Sequence, residues 1–285
     1  MGLRRSLYKT PAQLRSMVEP GLITAAALDA VRAMIAPGVT TAELDAAASE
    51  VILARGAESN FQLVRGYRHT TCISVNDQVV HGIPGARVLE AGDIVSIDAG
   101  AQFKGWNGDS AITIVVPGGD ATARASRERL SAVTEGSLWA GVAALASASR
   151  VGEIGDAVQG YIERSGESYG ILRDYVGHGI GRRMHEGPTV FNYRVADLGP
   201  AVRPGLCLAI EPMVTGGSQE TYVEDDDWTG TTGDGSAGCH WEDSGARHDR
   251  GIWVLTAPAR GAAGVAPLRS VWRTSRYTAS VSGDG

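Results

Sequence analysis

The chain has 285 residues, of which 43% are hydrophobic, and it carries a formal net charge of −6. This length and apolar content allow either two domains or one large α/β domain with a substantial buried core. The negative charge argues against nucleic acid or an anionic membrane surface as the main partner. We therefore expect neither nucleic-acid specificity nor membrane association.

The three cysteines are scattered along the chain, and none belongs to a CxxC pair. An odd number of isolated cysteines favours a reducing compartment over a disulfide framework. No apolar run approaches the ~18 residues of a membrane span. These features predict a cytoplasmic protein.

The first elements along the chain are predicted helices. Residues 10–13 read TPAQ, which supplies an N-cap, a proline at the first helical position and a glutamine at the third. Pro20 and Gly21 predict a kink or break in this helix. A second capping box at residues 40–43 precedes an apolar helical stripe that ends at Gly56.

Short apolar or alternating runs separated by turn residues follow these helices and predict strands. The predicted strands cover residues 72–75, 79–80, 94–99 and 111–116, and later 206–210 and 252–256. Helical sequence lies between the two groups, at residues 121–148 and 151–165. The order of helix pair, strands, helix pair and strands predicts an α/β fold with two related halves.

The chain divides by composition near its C-terminus. Residues 1–256 carry the patterned sequence, and we assign them to one domain. Residues 257–285 are rich in Ala, Gly, Ser, Thr and Arg and lack apolar periodicity. Such a low-complexity segment predicts a loosely ordered tail.

Two aspartates lie in a segment that we expect to form a hairpin. A turn near residues 103–105 would place Asp109 opposite Asp98 or one position away. Two carboxylates that close, in strands this apolar, repel each other unless a proton or a cation lies between them. One such aspartate would be unremarkable, but the pair indicates a cation site.

Two glutamates and a histidine extend this prediction. Glu211 ends the apolar run at residues 206–210, and Glu242 stands in the sequence HWED. Together with the two aspartates they carry four negative charges, which two divalent cations would balance. One imidazole from residues 177–188, GHGIGRRMHEGP, would complete an oxygen-rich cluster suited to Mn²⁺, Fe²⁺ or Co²⁺. Two ions about 3.5–4 Å apart can bridge and activate one water, which is hydrolytic chemistry.

Six motifs, in this order and spacing, resemble the type I methionine aminopeptidases, the short bacterial form of the pita-bread metallopeptidases. They are HGIPG at 81–85, GDIVSIDAG at 92–100, GWNGDSA at 105–111, GHGIGRRMHEGP at 177–188, AIEPM at 209–213 and HWE at 240–242. The resemblance spans about residues 10–256. It implies a pita-bread fold, in which two pseudo-symmetric halves, each with a helix pair and antiparallel strands, surround a central dinuclear metal site.

The resemblance also implies roles for individual residues. The implied metal ligands are Asp98, Asp109, His178, Glu211 and Glu242. The implied catalytic residues are His185, which contacts the scissile amide, His81, which places the substrate and stabilises the transition state, and Glu211, which shuttles the proton. The implied substrate-binding residues are His81, Tyr67, Cys72, Met184, His185 and Trp228, with Phe61 nearby. The glycines at 177, 179 and 181 are expected to let the backbone approach the metals, with His185 across the cleft from His178.

The implied reaction is removal of the N-terminal initiator methionine from nascent proteins whose second residue is small. The resemblance implies a metal-bridging hydroxide held by two ions of Co²⁺, Mn²⁺ or Fe²⁺, with Zn²⁺ an acceptable replacement. Nascent polypeptide N-termini are the implied partners, near the ribosomal exit tunnel. We expect a monomer.

Residues 230–250 depart from the family pattern. Asp243 follows the last implied ligand, where the family has histidine, and residues 244–250 are polar and charged instead of apolar. Buried polar groups without partners are costly in a central strand, so this segment predicts either a distorted strand or an error in the sequence. This departure leaves open a catalytically impaired pita-bread scaffold as an alternative function. An Xaa-Pro aminopeptidase or prolidase-type hydrolase is a second alternative, because its metal ligands would be nearly the same.

Overall fold

The structure is a computed structural model that describes residues 7–257. The first six residues and almost all of the predicted tail at 257–285 lie outside the described residues, so the tail stays a prediction. The helices are α1 (Pro11–Ser16), α2 (Val18–Met34), α3 (Thr41–Ala54), α4 (Ala121–Leu145) and α5 (Gly152–Arg164). A 3₁₀ turn spans Phe61–Leu63. Within the described residues, no helix combines the length and the hydropathy that crossing a bilayer requires.

Fifteen short strands alternate with these helices in the described part of the chain. The first five are β1 (Glu58–Ser59), β2 (Thr71–Val75), β3 (Gln78–Val80), β4 (Ile94–Phe103) and β5 (Trp106–Val115). The middle five are β6 (Gly170–Ile171), β7 (Gly177–Gly179), β8 (Glu186–Val190), β9 (Cys207–Ile210) and β10 (Met213–Thr215). The last five are β11 (Thr221–Val223), β12 (Gly230–Thr232), β13 (Gly238–His240), β14 (Glu242–His248) and β15 (Gly251–Val254).

The predicted helix starts are confirmed, and their capping geometry explains them. The Thr10 and Thr40 hydroxyls accept hydrogen bonds from the third backbone N–H of α1 and α3. In turn, the side chains of Gln13 and Glu43 accept hydrogen bonds from the backbone N–H groups of Thr10 and Thr40. The Asp120 carboxylate caps α4 by accepting from the N–H of Ala123 at 2.8 Å. Each cap satisfies a backbone donor that has no partner within its helix.

The predicted break at Pro20 and Gly21 is wrong in position. The chain breaks at Met17, between α1 and α2, and Pro20 lies in the first turn of α2. In that turn the missing N–H of a proline costs no intrahelical hydrogen bond. The helix therefore runs through Pro20 without the penalty of an interior proline.

The main sheet joins strands from both halves of the chain. Its antiparallel order is β1-β4-β5-β14-β9-β7-β8, with β2 also paired to β4 and β15 to β14. Two three-stranded sheets, β13-β10-β6 and β11-β12-β3, complete the strands. Helix α2 packs on α3, β4 and β5, while α4 packs on α5, on β5 and on strands of the second half. The result is the predicted α/β architecture with one helix pair in each half.

The predicted hairpin forms, but its register differs from the expected one. Phe103 pairs with Trp106 around a two-residue turn, so Asp98 lies opposite Ala111 and Gly100 opposite Asp109. Asp109 is thus two positions along β5 from the residue opposite Asp98, whereas the expected register placed it opposite Asp98 or one position away. Because side chains alternate between faces, a two-position offset keeps both carboxylates on the same face, whereas a one-position offset would separate them.

Strand β14 is regular and central, so the predicted distortion of residues 230–250 is wrong for this part. Residues 243–246 pair with 207–210 of β9, and Glu242 and Asp243 pair with β5. Hydrogen bonds from neighbouring segments stabilise two buried polar residues of the strand, Asp243 and Ser244. The Ser244 hydroxyl donates to the Asp109 carbonyl at 2.8 Å and accepts from the Asp109 N–H at 3.2 Å. Asp243 accepts from the hydroxyls of Ser110 and Thr256 at 3.1 and 2.9 Å.

A glycine contact fixes α2 against the hairpin. A Cβ at Gly108 would lie 2.7 Å from the backbone nitrogen of Gly21, and a Cβ at Gly21 would lie 2.6 Å from the carbonyl oxygen of Leu255. Neither position has room for a side chain. The helix can therefore pack directly on the backbone next to Asp109.

Candidate metal centre and active site

One cavity of about 320 Å³ lies between the two halves. Every residue predicted for the site lines it. One end of the cavity is acidic, and the other end is apolar. The sequence-based selection of residues therefore converges on a single place in the fold.

The acidic end is built from five separate strands or strand ends. Asp98 is in β4, Asp109 in β5, His178 in β7, Glu211 directly after β9, and Glu242 at the start of β14. The Nε2 atom of His178 lies 3.4 Å from Glu211 Oε1 and 3.9 Å from Asp109 Oδ2. Its Nδ1 lies 3.0 Å from the carbonyl oxygen of Gly179. An N–H at Nδ1 would donate to that carbonyl and leave the Nε2 lone pair facing the acids, which is the usual arrangement of a metal-binding histidine.

The four carboxylates lack the partners that buried charges normally have. Each has a buried oxygen without a hydrogen-bond partner: Asp98 Oδ1, Asp109 Oδ1, Glu211 Oε1 and Glu242 Oε1. Burial raises the pKa of Asp98 to about 8. Burial, followed by repulsion from the neighbouring carboxylates, raises the pKa of Asp109, Glu211 and Glu242 well above the usual range. Such a cluster is costly unless protons or cations occupy it.

The donor set fits divalent cations. Two groups of three donors lie within 4.8 Å of one another: Asp109 with His178 and Glu242, and Glu211 with His240 and Glu242. Burial lowers the pKa of His178 to about 4, so its imidazole is neutral near pH 7 and able to bind a metal. Carboxylate oxygens with imidazole nitrogens suit Mn²⁺, Fe²⁺, Co²⁺ or Zn²⁺.

The second histidine of the glycine-rich segment does not lie across the cleft from the first. The rings of His185 and His178 meet edge to face, with centroids 4.4 Å apart. The glycines also have a different role from the predicted one. A Cβ at Gly177 would meet the carbonyl oxygen of Ala209 at 2.5 Å, and a Cβ at Gly179 would meet that of Gly187 at 2.0 Å. These glycines let neighbouring strands pack closely, and this packing in turn brings the two imidazoles together.

His81 follows β3 with a left-handed backbone, at φ 56°. Few residues other than glycine adopt this conformation, and it often marks a functional position. The His81 ring contacts the Tyr175 ring edge to face, at 5.7 Å between centroids. Burial lowers the pKa of His81, and the nearby His185 lowers it further. A neutral imidazole therefore lies on the cavity wall.

The apolar end of the cavity is a cluster of aromatic and sulfur-containing side chains. Phe61, Tyr67 and Cys72 form its buried part, against which Val64, Ile83, Met184 and Trp228 pack. The Tyr67 and Trp228 rings contact edge to face at 5.0 Å between centroids. Polarizable groups of this kind form a soft surface that suits a thioether side chain. All five residues predicted for this pocket belong to the cluster.

Sequence reasoning missed His240. His240 is 3% exposed and lines the same cavity, with Nε2 3.8 Å from Glu211 Oε2. The spacing contained the necessary information: His240 is two residues before Glu242 in extended chain, so both side chains point to the same face. Tyr175, which contacts His81, was missed as well, and nothing in its surrounding sequence marks it.

Comparisons with known proteins agree with this geometry. The profile of metallopeptidase family M24 matches residues 15–246. Methionine aminopeptidase 1 from Mycobacterium tuberculosis (strain CDC 1551 / Oshkosh) is 44% identical over 260 residues, which cover 90% of this chain and 96% of that protein. Methionine aminopeptidase 1 from Bacillus subtilis (strain 168) is 41% identical over 250 residues, covering 88% and 98% of the two chains.

Solved structures confirm the predicted α/β pita-bread fold. The crystal structure of methionine aminopeptidase from Thermotoga maritima superposes with a TM-score of 0.82 at 36% identity, covering 87% of this chain and 98% of that one. Prolidase from Pyrococcus furiosus shares the fold, with a TM-score of 0.66 at 22% identity, covering 88% and 65% of the two chains. The family profile, the similar sequences and the acidic cluster lead to one conclusion: the chain belongs to metallopeptidase family M24.

Proposed function

We propose that this protein is a metal-dependent methionine aminopeptidase that removes the N-terminal methionine from proteins whose second residue is small. The observation that carries this proposal is a cluster of unpartnered buried carboxylates opening directly onto an apolar, sulfur-containing pocket. Relatives with 35–44% identity over most of the chain are methionine aminopeptidases, which supports the same reaction.

The acidic cluster would hold two divalent ions of Co²⁺, Mn²⁺ or Fe²⁺, with Zn²⁺ as an acceptable replacement. Asp98, Asp109, His178, Glu211 and Glu242 would be the ligands, and their four negative charges would balance two ions. When bound, the ions would supply Lewis acidity toward the peptide carbonyl and lower the pKa of a water nucleophile. The unpartnered oxygens of the carboxylates support this assignment.

The remaining polar residues would handle the proton and the amide. Glu211 would accept the proton of the attacking water and deliver it to the leaving amine, because its carboxylate lies at the boundary between the acids and the open cavity. His185 would contact the scissile amide. His81 would orient the substrate and donate a hydrogen bond to the developing negative charge.

The apolar end of the cavity would bind the methionine side chain. Phe61, Tyr67, Cys72, Met184 and Trp228 surround a space that a linear thioether can fill. Burying such a side chain contributes about 1.5–3 kcal/mol. The substrate's second residue would lie beyond His185, where we propose that only a small side chain fits.

The substrates that we propose are nascent polypeptide N-termini, which the enzyme would meet in the cytoplasm close to the ribosomal exit tunnel. We also propose that it works as a monomer. Since both acids and pocket come from a single chain, the site needs no second subunit. Analytical ultracentrifugation of the purified protein would test the monomer, and ribosome cosedimentation would test the location.

The two alternative functions have weaker support. The prolidases and X-Pro aminopeptidase that share the fold are only 18–22% identical, which speaks to fold alone. A scaffold without catalysis does not explain why the four carboxylates lie buried and unpartnered around one point, since apolar residues would be more stable there.

Peptide cleavage tests the proposed function directly. Purified protein loaded with Mn²⁺ or Co²⁺ is incubated with Met-Ala-Ser, Met-Leu-Ser and Ala-Pro-Ala, and products are followed by chromatography. We expect release of methionine from Met-Ala-Ser, much less from Met-Leu-Ser and no cleavage of Ala-Pro-Ala. Asp98→Asn serves as the inactive control. Cleavage of the proline peptide alone would refute the proposal in favour of the prolidase alternative.

A further inference from the structure

The acidic cluster contains one side chain able to bind a metal, that of His240, to which neither the sequence analysis nor the proposed function gives a role. His240 is 3% exposed, and its buried Nε2 has no hydrogen-bond partner. A buried polar atom without a partner is rare in folded proteins and calls for an explanation. The atom faces the cluster, because it forms a metal-sized group with Glu211 and Glu242.

The distances fit shared coordination of an ion better than direct hydrogen bonding. Nε2 of His240 lies 3.8 Å from Glu211 Oε2, whereas N–H···O bonds measure about 2.7–3.2 Å. Two donors bound at about 2.1 Å to one ion lie roughly 3.0–3.9 Å apart, for angles between about 90° and 135° at the ion. The corresponding distances of His178 to Glu211 and Asp109 are 3.4 and 3.9 Å. The two imidazoles therefore stand in similar relation to the acids.

The local backbone holds His240 in this orientation. Its N–H lies 3.1 Å from the Ser96 hydroxyl and 3.2 Å from the Thr113 hydroxyl, and its carbonyl accepts from Thr113 at 2.6 Å. Ser96 and Thr113 are opposed residues on β4 and β5, the two strands that carry Asp98 and Asp109. The imidazole is thus tied to the same hairpin as the aspartates.

We infer that His240 is a sixth metal ligand, so that each of the two proposed ions has one imidazole. His178 would bind one ion together with Asp109 and Glu242, and His240 would bind the other ion together with Glu211 and Glu242. The two oxygens of Glu211 face the two imidazoles, one each. A nitrogen ligand at both positions favours transition metals over Mg²⁺ and Ca²⁺, which prefer oxygen. This inference rests on the proposed dinuclear centre.

Metal binding and ligand counting test the inference without an activity assay. Metal-free protein is titrated with Co²⁺ in a calorimeter, and X-ray absorption at the cobalt edge then counts imidazoles per ion. For the wild type we expect two binding events and an average of about one imidazole per cobalt. In His240→Gln the average should fall to about one half, and one binding event should weaken at least tenfold.

The matched variants separate the possible results. His178→Gln should give the same half count, and His81→Gln, which changes an imidazole on the cavity wall outside both donor groups, should keep the full count. His240→Asn repeats the test if the glutamine variant folds poorly. Two bound ions with an unchanged imidazole count in His240→Gln would overturn the inference while leaving the dinuclear centre intact. Failure of the wild type to bind a second ion would refute the dinuclear centre itself.

Discussion

The two faces of strand β14 give buried carboxylates different surroundings. Glu242 and Asp243 are adjacent, and they are 2% and 0% exposed. On the cavity face, Glu242 keeps an oxygen without a hydrogen-bond partner and lies among three other acids. On the opposite face, Oδ1 of Asp243 accepts hydrogen bonds from the hydroxyls of Ser110 and Thr256. The contrast indicates that burial alone does not mark a candidate metal ligand, whereas burial beside several other carboxylates does.

The strongest way to break this comparison is to neutralise each carboxylate in turn. Glu242→Gln should lower kcat/KM by about 10³-fold or more, because losing a proposed metal ligand would remove several kcal/mol of transition-state stabilisation. Asp243→Asn, the matched control, should retain most of the activity. Peptide hydrolysis and calorimetric Co²⁺ titration check both. Equal loss in the two variants would contradict the contrast.

The same pair should also differ in stability. Asp243→Ala should lower the free energy of unfolding by about 1–3 kcal/mol, because the Ser110 and Thr256 hydroxyls lose an acceptor. Glu242→Gln should raise the melting temperature of the metal-free protein, because it removes a buried group under repulsion. Thermal denaturation in a chelator checks this. A lower melting temperature for metal-free Glu242→Gln would count against an unpartnered charge at this position.

The pH dependence of the metal-free protein sharpens the comparison further. A carboxyl whose pKa is raised on folding stabilises the protein below its unfolded pKa, and this contribution is lost as pH rises toward the folded value. For Asp98 these values are 3.8 and about 8. The lowered pKa values of the buried histidines, among them His178 and His240, act in the opposite direction, and this effect fades as pH rises above 6.5. Between pH 6.5 and 8 the carboxyls dominate, each costing up to ~1.4 kcal/mol per pH unit.

Melting temperatures measured from pH 6.5 to 8 test this expectation. The metal-free protein should lose stability over this range, and the Co²⁺-loaded protein should lose less, because bound cations keep the carboxylates ionised in the folded state. Glu242→Gln should flatten the metal-free curve. Parallel curves for the metal-free and loaded proteins would show that cations do not compensate the buried charge.

The apolar end of the cavity provides a smaller effect of a different kind. Trp228→Ala should raise KM for Met-Ala-Ser about tenfold, because the methionine side chain loses roughly 1.4 kcal/mol of apolar contact. The catalytic constant kcat should change little, since Trp228 belongs to the apolar end of the cavity and not to the acidic cluster. Tyr222→Ala, which changes an aromatic side chain that is 52% exposed, is the control. A fall in kcat at constant KM would place Trp228 in the chemistry rather than the pocket.

A second partnered charge, next to His185, gives the smallest expected effect. Lys9 Nζ lies 3.1 Å from Glu186 Oε2, and the Lys9 side chain is 7% exposed. Glu186 also accepts from the N–H of Arg183 at 3.1 Å, which holds the loop that carries His185. Lys9→Met should lower kcat about threefold with KM nearly unchanged, and destabilise the protein by about 1–3 kcal/mol.

The double variant Lys9→Met with Glu186→Gln serves as the control for that prediction. Because it removes both charges, it should recover part of the lost stability. Steady-state kinetics and thermal denaturation measure the two effects. No recovery in the double variant would mean that Lys9 acts through packing and not through its charge.

Local sequence predicted those parts of the site that lie close together along the chain. The hairpin with Asp98 and Asp109 follows from two alternating runs and a short turn, although the turn length that sets the register could not be read. The helix starts at Thr10 and Thr40 follow from capping chemistry. The position of the helix break near Pro20 could not be predicted, because a proline is tolerated in the first turn of a helix and disrupts it only in later turns.

Long-range pairing could not be derived from local patterns. Strand β14 lies between β5 and β9 although its sequence is polar. The hydroxyls of Ser110 and Thr256 donate to Asp243, and the backbone of Asp109 bonds the Ser244 hydroxyl. His240 was missed although its two-residue spacing from Glu242 places both side chains on one face of an extended chain, because a single histidine beside an aromatic residue is more often structural than functional. The pocket residues came from the family resemblance, since no periodicity joins Phe61 to Trp228.

The contact between Gly21 and Gly108 has a consequence for how this enzyme tolerates change. A side chain at Gly108 would push α2 away from the hairpin next to Asp109, and a side chain at Gly21 would push α2 away from the backbone of Leu255. In a saturation library selected for growth, these two positions should be as invariant as the acids themselves, although no substrate ever touches them. Substitutions that confer inhibitor resistance should therefore arise at the cavity rim and not at Gly21 or Gly108.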